Sequence, residues 1–425
     1  MANDPRTATH SGGNATFRSL FRLREYRAVY LATLINWLGD YLSRAAVTVL
    51  VYHKSQSVLL SAASFAVGFL PWIVGPLLSA IAERYPYRRV MIVADLTRMA
   101  LIALLLVPHM PVPLMLLVLL LAGLAAPPAQ AARSALLPEL VGRERLPLAT
   151  ALQQTASQTA QVVGYLAGAT LAVALTPRIA LGLDVLTFLF SALLVASGVR
   201  PRPATNPDSG RTHLLRETGE GFRLVFSHPL LRSIVTVVFT VTVFAIVPEG
   251  LAAAWAVEGT PGHSSSNLDQ GLIMAAGPFG FVLGGILFSR LVPAHRRARL
   301  VPYLAVSMPL LLVPSIFGPP APFVAALVML SGLTQGALLP TLNANFTLAV
   351  PDGYRARAFG VVGSGVQVTQ FTAVIVTGLL ADHFRLPLVV GLWSIGGAVV
   401  MLLIVLSWPR QGLPEPAAGA GRMER

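Results

Sequence analysis

The chain has 425 residues, of which 55% are hydrophobic and only 12% are charged, with a formal net charge of +13 and a mean hydropathy of +0.69. A soluble protein of this length carries about a quarter charged residues, so this composition excludes an ordinary soluble domain and indicates helices that span a membrane. Cysteine is absent, which excludes disulfides and cysteine metal sites.

Apolar runs of about 20 residues divide the chain into twelve predicted spans. Their approximate cores are 28–51, 58–81, 90–107, 112–132, 148–175, 178–199, 233–256, 270–292, 300–318, 321–343, 357–381 and 386–408. The first apolar run is too long for the core of a cleavable signal peptide. We therefore expect an all-α membrane protein with an N-terminal segment (1–27), a six-helix half (28–199), a linker (200–232), a second six-helix half (233–408) and a tail (409–425).

The arginines are distributed unevenly over the predicted loops. In this layout 26 of them fall on the side of the two termini, with Arg133 in the loop after the fourth span, whereas only Lys54, Arg178 and Arg385 fall on the other side. Cytoplasmic loops carry the excess of positive charge, so both termini are predicted to be cytoplasmic, in a bacterial-type inner (plasma) membrane. Nucleic-acid binding would need a basic face on a soluble domain, and the pattern shows none.

The second half repeats features of the first at an offset of 209 residues. Three pairs of polar residues coincide at this offset: Gln158 and Gln367, Gln161 and Gln370, and Asp40 and Glu249. An offset of six helices predicts two parallel, pseudo-symmetric six-helix halves, as in transporters whose halves are related by an axis along the membrane normal.

The segment GPLLSAIAERYPYRRVMIV (75–93) follows the second predicted span. It resembles the motif between the second and third helices of the major facilitator superfamily, glycine-x-x-x-Asp-Arg-x-Gly-Arg-Arg. Glu83 stands at the aspartate and Arg84 matches, while Arg88 and Arg89 supply the later positive charges.

Other segments extend this resemblance over nearly the whole chain. Leu38-Gly39-Asp40 and LLPELVGRERLPLATALQ (136–153) look most like the twelve-helix drug-efflux branch that is related to macrolide exporters. The Gly-Pro antiporter signature of the fifth helix is reduced here to Gly164-Tyr165-Leu166-Ala167-Gly168, without proline. The resemblance implies alternating access, in which two halves rock about a central cavity.

The resemblance also implies a gate at the loop 75–93. Glu83 would face the positive N-terminus of the eleventh helix near Gly353–Arg357, and the three arginines of the motif would bond carbonyl and acidic groups across the cytoplasmic seam. The plainer interpretation is that these arginines only satisfy the positive-inside rule.

Ionisable residues at the middle of a bilayer are costly, so each is a candidate for function. Asp40 lies about twelve residues, or roughly 18 Å, into the first span. Asn36, Asp40 and Arg44 are spaced by four residues and share one helix face, which must point to a polar interior. Two interpretations are open: Asp40 and Arg44 neutralise each other, or they form a proton-gated switch.

The other membrane acids have less clear roles. Glu249 has no basic neighbour within a helical turn, so it is predicted to carry protons or to lie at a wet outer mouth. Asp95 and Arg98 are predicted to form a structural pair along the third span, and Asp184 in the sixth span is ambiguous.

Amide and aromatic side chains complete the candidate site. Four glutamines are predicted to line the cavity or to bond between helices: Gln158, Gln161, Gln367 and Gln370. Five aromatic residues are predicted to form a surface for a hydrophobic substrate or to face lipid: Trp37, Tyr41, Phe69, Trp72 and Trp255.

No phosphate-binding loop, metal-ligand spacing or hydrolase motif appears in the sequence, so we expect neither an enzyme nor a cofactor. The leading hypothesis is a monomeric, proton-coupled exporter of small hydrophobic or amphipathic molecules. Its rivals are an importer or a metabolite or lipid exporter of the same fold, and a membrane sensor or scaffold that transports nothing.

Overall fold

The computed structural model describes residues 17–142, 144–174, 176–203, 214–258, 267–351 and 354–407, and these residues form helices without any strand. The helices of the N-terminal part (17–203) are α1 (Phe17–Phe21), α2 (Arg24–Ser55), α3 (Val58–Ala66), α4 (Leu70–Ile73), α5 (Gly75–Arg84), α6 (Tyr87–Leu104), α7 (Val112–Leu124), α8 (Ala126–Val141), α9 (Leu146–Ala174) and α10 (Pro177–Gly198). Those of the C-terminal part (214–407) are α11 (Leu214–Ser227), α12 (Pro229–Ala245), α13 (Val247–Glu258), α14 (Asn267–Leu291), α15 (Ala294–Leu310), α16 (Ala321–Ala349), α17 (Arg355–His383) and α18 (Leu386–Leu406).

Eight helical stretches within the described residues are long and apolar enough to cross a bilayer, which makes this a multi-pass membrane protein. They are Val112–Val141, Pro177–Gly198, Pro229–Val257, Leu268–Leu291, Arg299–Phe317, Ala321–Ala349, Arg357–His383 and Leu386–Leu406. The other four predicted spans fall on α2, α3 to α5, α6 and α9. These helices are interrupted or carry charged and amide residues, so the count of twelve stays a prediction.

Proline bends two of the predicted spans. Pro71 and Pro76 stand at the first turns of α4 and α5, where the missing N–H is tolerated, and they divide the second predicted span. The fourth predicted span is divided in the same way at Pro127, but α8 then continues to Val141. The expected position of Arg133 in a loop is therefore wrong, because Arg133 lies inside α8 with only 6% of its surface exposed.

Glycines bring α14 and α16 into close backbone contact. A Cβ at Gly284 would overlap the carbonyl oxygen of Leu333, and one at Gly336 would overlap that of Phe281. The neighbouring Gly285 is different, because its nearest atom, the oxygen of Gly336, would be 3.6 Å from an added Cβ, an ordinary contact. The two helices therefore need a bare backbone at Gly284 but not at Gly285.

We predict that Gly284→Ala destabilises the protein by about 1–3 kcal/mol, because the methyl group must push α16 away from α14. Gly285→Ala is the matched control and should change stability by less than about 0.5 kcal/mol. Thermal unfolding of the purified protein, followed by size-exclusion chromatography, measures both. Equal unfolding temperatures for the two variants would contradict the close packing.

The N- and C-terminal parts meet through α2, α3 and α9 on one side and α13, α14 and α17 on the other. The amide nitrogen of Gln270 on α14 donates to the carbonyl oxygen of Ala45 at 3.1 Å and to the hydroxyl of Thr48 at 2.7 Å, both on α2. Tyr165 of α9 and Trp255 of α13 belong to the same buried apolar cluster. This contact lies toward the C-terminal ends of α2 and α13.

On the face of the termini, α11 is bound to the start of α17. The guanidinium of Arg357 donates to the carboxylate of Glu220 at 2.9 Å. Part of the predicted linker (200–232) therefore forms the helix α11, and this helix contacts the C-terminal part.

The beginning of the linker is bound to the N-terminal part. Arg202 contacts the carboxylate of Glu25, which precedes the first predicted span, at 2.8 Å. Burial opposes the ionisation of Glu25, but hydrogen bonds from Arg202 and from the backbone of Arg200 outweigh it and lower the pKa of Glu25 below its ordinary value.

Candidate functional site

A cavity of about 300 Å³ lies among the helices of the N-terminal part and reaches α17. Its wall combines charged, amide and aromatic side chains. The polar residues of the wall are Asn36, Asp40, Ser43, Arg44, Ser64, Arg98, Gln130, Arg133, Asp184 and Gln367. Most residues that the sequence marked as costly in a membrane therefore surround one space.

Asp40 forms its ion pair across the cavity. The guanidinium of Arg98 on α6 contacts the carboxylate of Asp40 on α2 and lies 4.4 Å from the ring centroid of Phe188. The direct partner of Asp40 is therefore Arg98, whereas Arg44 acts on Asp40, and Arg98 on Asp95, only through longer-range electrostatic attraction. Spacing along one helix cannot reveal such partners, because the cavity brings α2 and α6 face to face.

Asp95 instead takes part in a buried hydrogen-bond network. The amide nitrogen of Asn36 donates to its Oδ1 atom at 2.9 Å, and the hydroxyl of Ser191 on α10 donates to its Oδ2 atom at 2.6 Å. This network joins α2, α6 and α10 behind the ion pair. It fixes the helix that carries Arg98 relative to the helix that carries Asp40.

Asp184 is almost fully buried, at 1% exposure. Its Oδ1 atom accepts a hydrogen bond from Thr187 at 3.1 Å, whereas its Oδ2 atom has no hydrogen-bond partner among the described residues. Gly39 lies against it, and a Cβ at this position would overlap both Asp184 and Thr187. The glycine beside Asp40 thus permits α10 to place a carboxyl group in the cavity wall.

Arg133 is the functional candidate that the sequence analysis missed. It lies three residues after Gln130 on α8, and both line the cavity. The sequence did contain a signal for this site, because Gln130 and Arg133 are polar residues within an alanine-rich segment. The loop assignment hid that signal.

Several buried polar atoms of the cavity residues have no hydrogen-bond partner in the part of the chain that the structure describes. They are Asn36 Oδ1, Arg98 Nε, Arg133 Nε and Asp184 Oδ2. Buried polar groups are almost always hydrogen-bonded, so this wall is suited to a polar ligand group. Among the described residues, no group of three or more His, Asp or Glu side chains is placed to hold a metal ion.

Arg44 and Glu249 lie near the place where the two parts of the chain join. The guanidinium of Arg44 lies 5.3 Å from the ring centroid of Phe65 and 5.8 Å from that of Phe69. Glu249, in the first turn of α13, is within electrostatic reach of Arg44 and lies beside Tyr165. The sequence assigned Glu249 no basic neighbour in its own helix, and the structure supplies one from α2.

The amide and aromatic candidates divide into two groups. Gln367, Trp37, Tyr41, Phe69 and Trp72 line the cavity. The others lie elsewhere within the described residues: Gln158, Gln161 and Gln370 are half-buried outside the cavity wall, and Trp255 is 2% exposed in the apolar contact between the parts. The expectation that Trp255 contributes to the aromatic surface is therefore wrong.

The predicted gating motif is described only in part. Arg88 donates to the carbonyl oxygen of Ala196 at 2.6 Å, which is a bond to α10 of the same part rather than across the seam. Its expected role at the seam stays a prediction. Arg84 is partly buried and Arg89 is exposed. The side chain of Glu83 and the backbone of Gly353 lie outside the described residues.

Two bacterial efflux proteins are similar in sequence to this chain. Macrolide efflux protein A of Streptococcus pyogenes is 21% identical over 396 residues, covering 91% of this chain and 95% of that protein. Multidrug efflux pump Tap of Mycolicibacterium fortuitum is 25% identical over 376 residues, covering 83% of this chain and 88% of the pump.

Solved transporters share the fold at lower identity. A mutant of the nucleoside transporter NupG has a TM-score of 0.73 at 13% identity, covering 90% of this chain and 99% of that one. The peptide transporter POT in complex with sulfate has a TM-score of 0.70 at 12% identity, covering 89% of this chain and 92% of that one. A bacterial homologue of the iron transporter ferroportin in the inward-facing state has a TM-score of 0.67 at 14% identity, covering 92% of this chain and 99% of that one.

The sequence model of one transporter family covers almost the whole chain. It matches residues 29–299 and 259–423, which include every helix that lines the cavity. A transporter fold and a polar cavity among its helices agree with this match. The chain belongs to the Major Facilitator Superfamily.

Proposed function

We propose that this protein is a twelve-helix secondary transporter that exports small hydrophobic or amphipathic molecules in exchange for protons. It acts by alternating access between two six-helix halves, as a monomer in a bacterial plasma membrane with both termini in the cytoplasm. The observation that carries this proposal is the cavity, because it joins an aromatic surface to an ion pair and to unpartnered polar atoms.

The wall of the cavity favours an amphipathic substrate. Trp37, Tyr41, Phe69 and Trp72 offer apolar faces on α2 and on the segment between α3 and α5. The polar atoms without partners lie on α2, α6, α8 and α10. A solute with an apolar body and a hydrogen-bonding group satisfies both surfaces, whereas a purely apolar solute leaves the polar atoms unpaired.

The carboxylates are the candidate coupling groups. Glu249 lies between the two parts, where a change in its protonation alters the attraction to Arg44. We propose that Glu249 carries the transported proton and that Asp40, paired with Arg98, binds substrate or controls the gate.

The gate on the termini side remains part of this proposal. Glu83 and Arg84 would hold the loop 75–93 against the start of α17 when the cavity opens on the opposite face. The flanking residues Arg88 and Arg89 would support the loop.

Export is preferred to import because both similar curated proteins are named as efflux proteins. An importer, or a metabolite or lipid exporter, shares the same fold and differs in the direction of flux. A sensor or scaffold that transports nothing is the alternative of another class, and the coupling experiment separates it from all of these.

The test uses the purified protein in liposomes with an imposed pH gradient and a panel of fluorescent amphipathic dyes. We expect at least one dye to accumulate on the acidic side, and we expect its movement to carry protons in the opposite direction, as reported by a pH-sensitive dye. If every dye moves only down its own concentration gradient, without proton flux, the result would contradict proton coupling. No movement of any dye in the panel would favour the sensor or scaffold.

A further inference from the structure

Asp382, in the last turn of α17, contacts the start of α3 across the two parts of the chain. Its Oδ2 atom accepts a hydrogen bond from the hydroxyl of Ser57 at 2.9 Å. Its Oδ1 atom accepts from the backbone N–H groups of Val58 at 2.7 Å and of Leu59 at 3.1 Å. One carboxyl group therefore makes three bonds to a helix more than 300 residues away in the sequence.

The physical basis is the N-terminus of α3. The first N–H groups of a helix have no partner within the helix, and the helix dipole concentrates positive charge there. Ser57 already caps α3 by accepting from the backbone N–H of Leu60 at 3.2 Å. Asp382 satisfies two further N–H groups and adds a negative charge from another helix, which makes its bonds charge-assisted.

The same helices pack closely below these bonds. A Cβ added at Gly378, one turn before Asp382, would come within 2.8 Å of the Cβ of Ala62 on α3. Ser61, next to Ala62, is buried and donates to the carbonyl oxygen of Thr48. The face opposite the termini is thus closed at this seam, and Phe65 on the same helix packs against Arg44 of the cavity.

We propose that Asp382 is a positioning residue of the transport cycle, which holds α17 against α3 while the face opposite the termini is closed. The three bonds must break when the two helices separate, so the carboxylate sets the balance between the closed and open states of this face. The inference rests on the proposed alternating access, and it assigns the control of the second face to a residue outside the loop 75–93 and outside the cavity.

The absence of cysteine from the chain allows a direct test. Ser61→Cys introduces a nearly isosteric thiol beneath the seam, and the rate at which a membrane-impermeant maleimide labels it in nanodiscs reports the opening of this face. We expect slow labelling in the Ser61→Cys protein. Adding Asp382→Ala should raise the rate by about tenfold, and Asp382→Asn by about threefold, since the amide oxygen still accepts but carries no charge. Glu139→Gln, at the face of the termini, is the control and should leave the rate unchanged.

A rate for Asp382→Ala within about twofold of the Ser61→Cys parent, in protein that elutes as a folded monodisperse species, would overturn the proposal. If Asp382→Ala does not fold, Asp382→Asn and Ser57→Ala decide in the same way, because each weakens only part of the contact. Labelling needs neither substrate nor a proton gradient. A negative result therefore leaves the exporter proposal standing, and a protein that labels as expected but moves no solute refutes only the exporter proposal.

Discussion

Replacing Glu249 by glutamine should abolish proton-driven accumulation of substrate while leaving downhill exchange largely intact. Glutamine keeps the size and hydrogen-bonding capacity of the side chain, but it cannot bind and release a proton. A gradient of one pH unit supplies about 1.4 kcal/mol for each proton, enough for about tenfold accumulation. We expect accumulation in liposomes to fall from about tenfold to about onefold in Glu249→Gln.

Two measurements keep this result specific to coupling. Exchange of labelled for unlabelled substrate at equal pH needs no proton movement and should proceed at a similar rate in the variant. Glu139→Gln also removes an acid, but one that pairs with Arg202 at the face of the termini, and it should accumulate substrate normally. Normal accumulation by Glu249→Gln across pH 6–8 would assign the coupling to another group.

The sequence predicted which residues matter better than it predicted their partners. Hydropathy and the cost of burying charge singled out Asp40, Arg98 and Asp184, and all three line the cavity. These arguments depend only on where a residue lies along the chain. The partner of each residue depends on how the helices are rotated and packed, and this information is absent from the spacing within one helix.

The errors have physical causes of the same kind. Arg133 was missed because the predicted fourth span stops at residue 132, one residue before it, whereas α8 runs on to Val141. For Trp255 the sequence allowed a substrate surface or a lipid face, because aromatic residues look alike in sequence, whereas the structure buries it in the apolar contact between the parts. The reach of Glu249 toward Arg44 needed the contact between the two parts of the chain.

The ion pair of Asp40 and Arg98 gives the second large expectation. In Asp40→Asn the guanidinium of Arg98 remains in the cavity wall, where only 12% of its side chain is exposed, without its counter-charge. Breaking such a pair from one side costs about 3 kcal/mol, mainly through the charge that is left behind. We expect less folded protein, a lower unfolding temperature and weaker substrate binding. From the sequence alone, Arg44 was the residue that Asp40→Asn would leave unpaired. In the structure that residue is Arg98.

A double-mutant cycle tests whether this pair acts as a unit. Arg98→Gln should lower the stability as much as Asp40→Asn does, because it leaves the carboxylate of Asp40 without its counter-charge. The double variant has two neutral groups instead and should recover about half or more of the lost stability. Arg89 is an exposed arginine of the same helix α6, so Arg89→Gln is the control for stability and should leave the unfolding temperature unchanged. Recovery of folding without recovery of transport would separate the two roles of the pair, since neutral side chains can fill the wall but cannot bind a charged group or a proton. If the double variant loses as much stability as the two single variants together, Asp40 and Arg98 are not energetically coupled. The ion pair would then contribute nothing to the stability of the cavity wall.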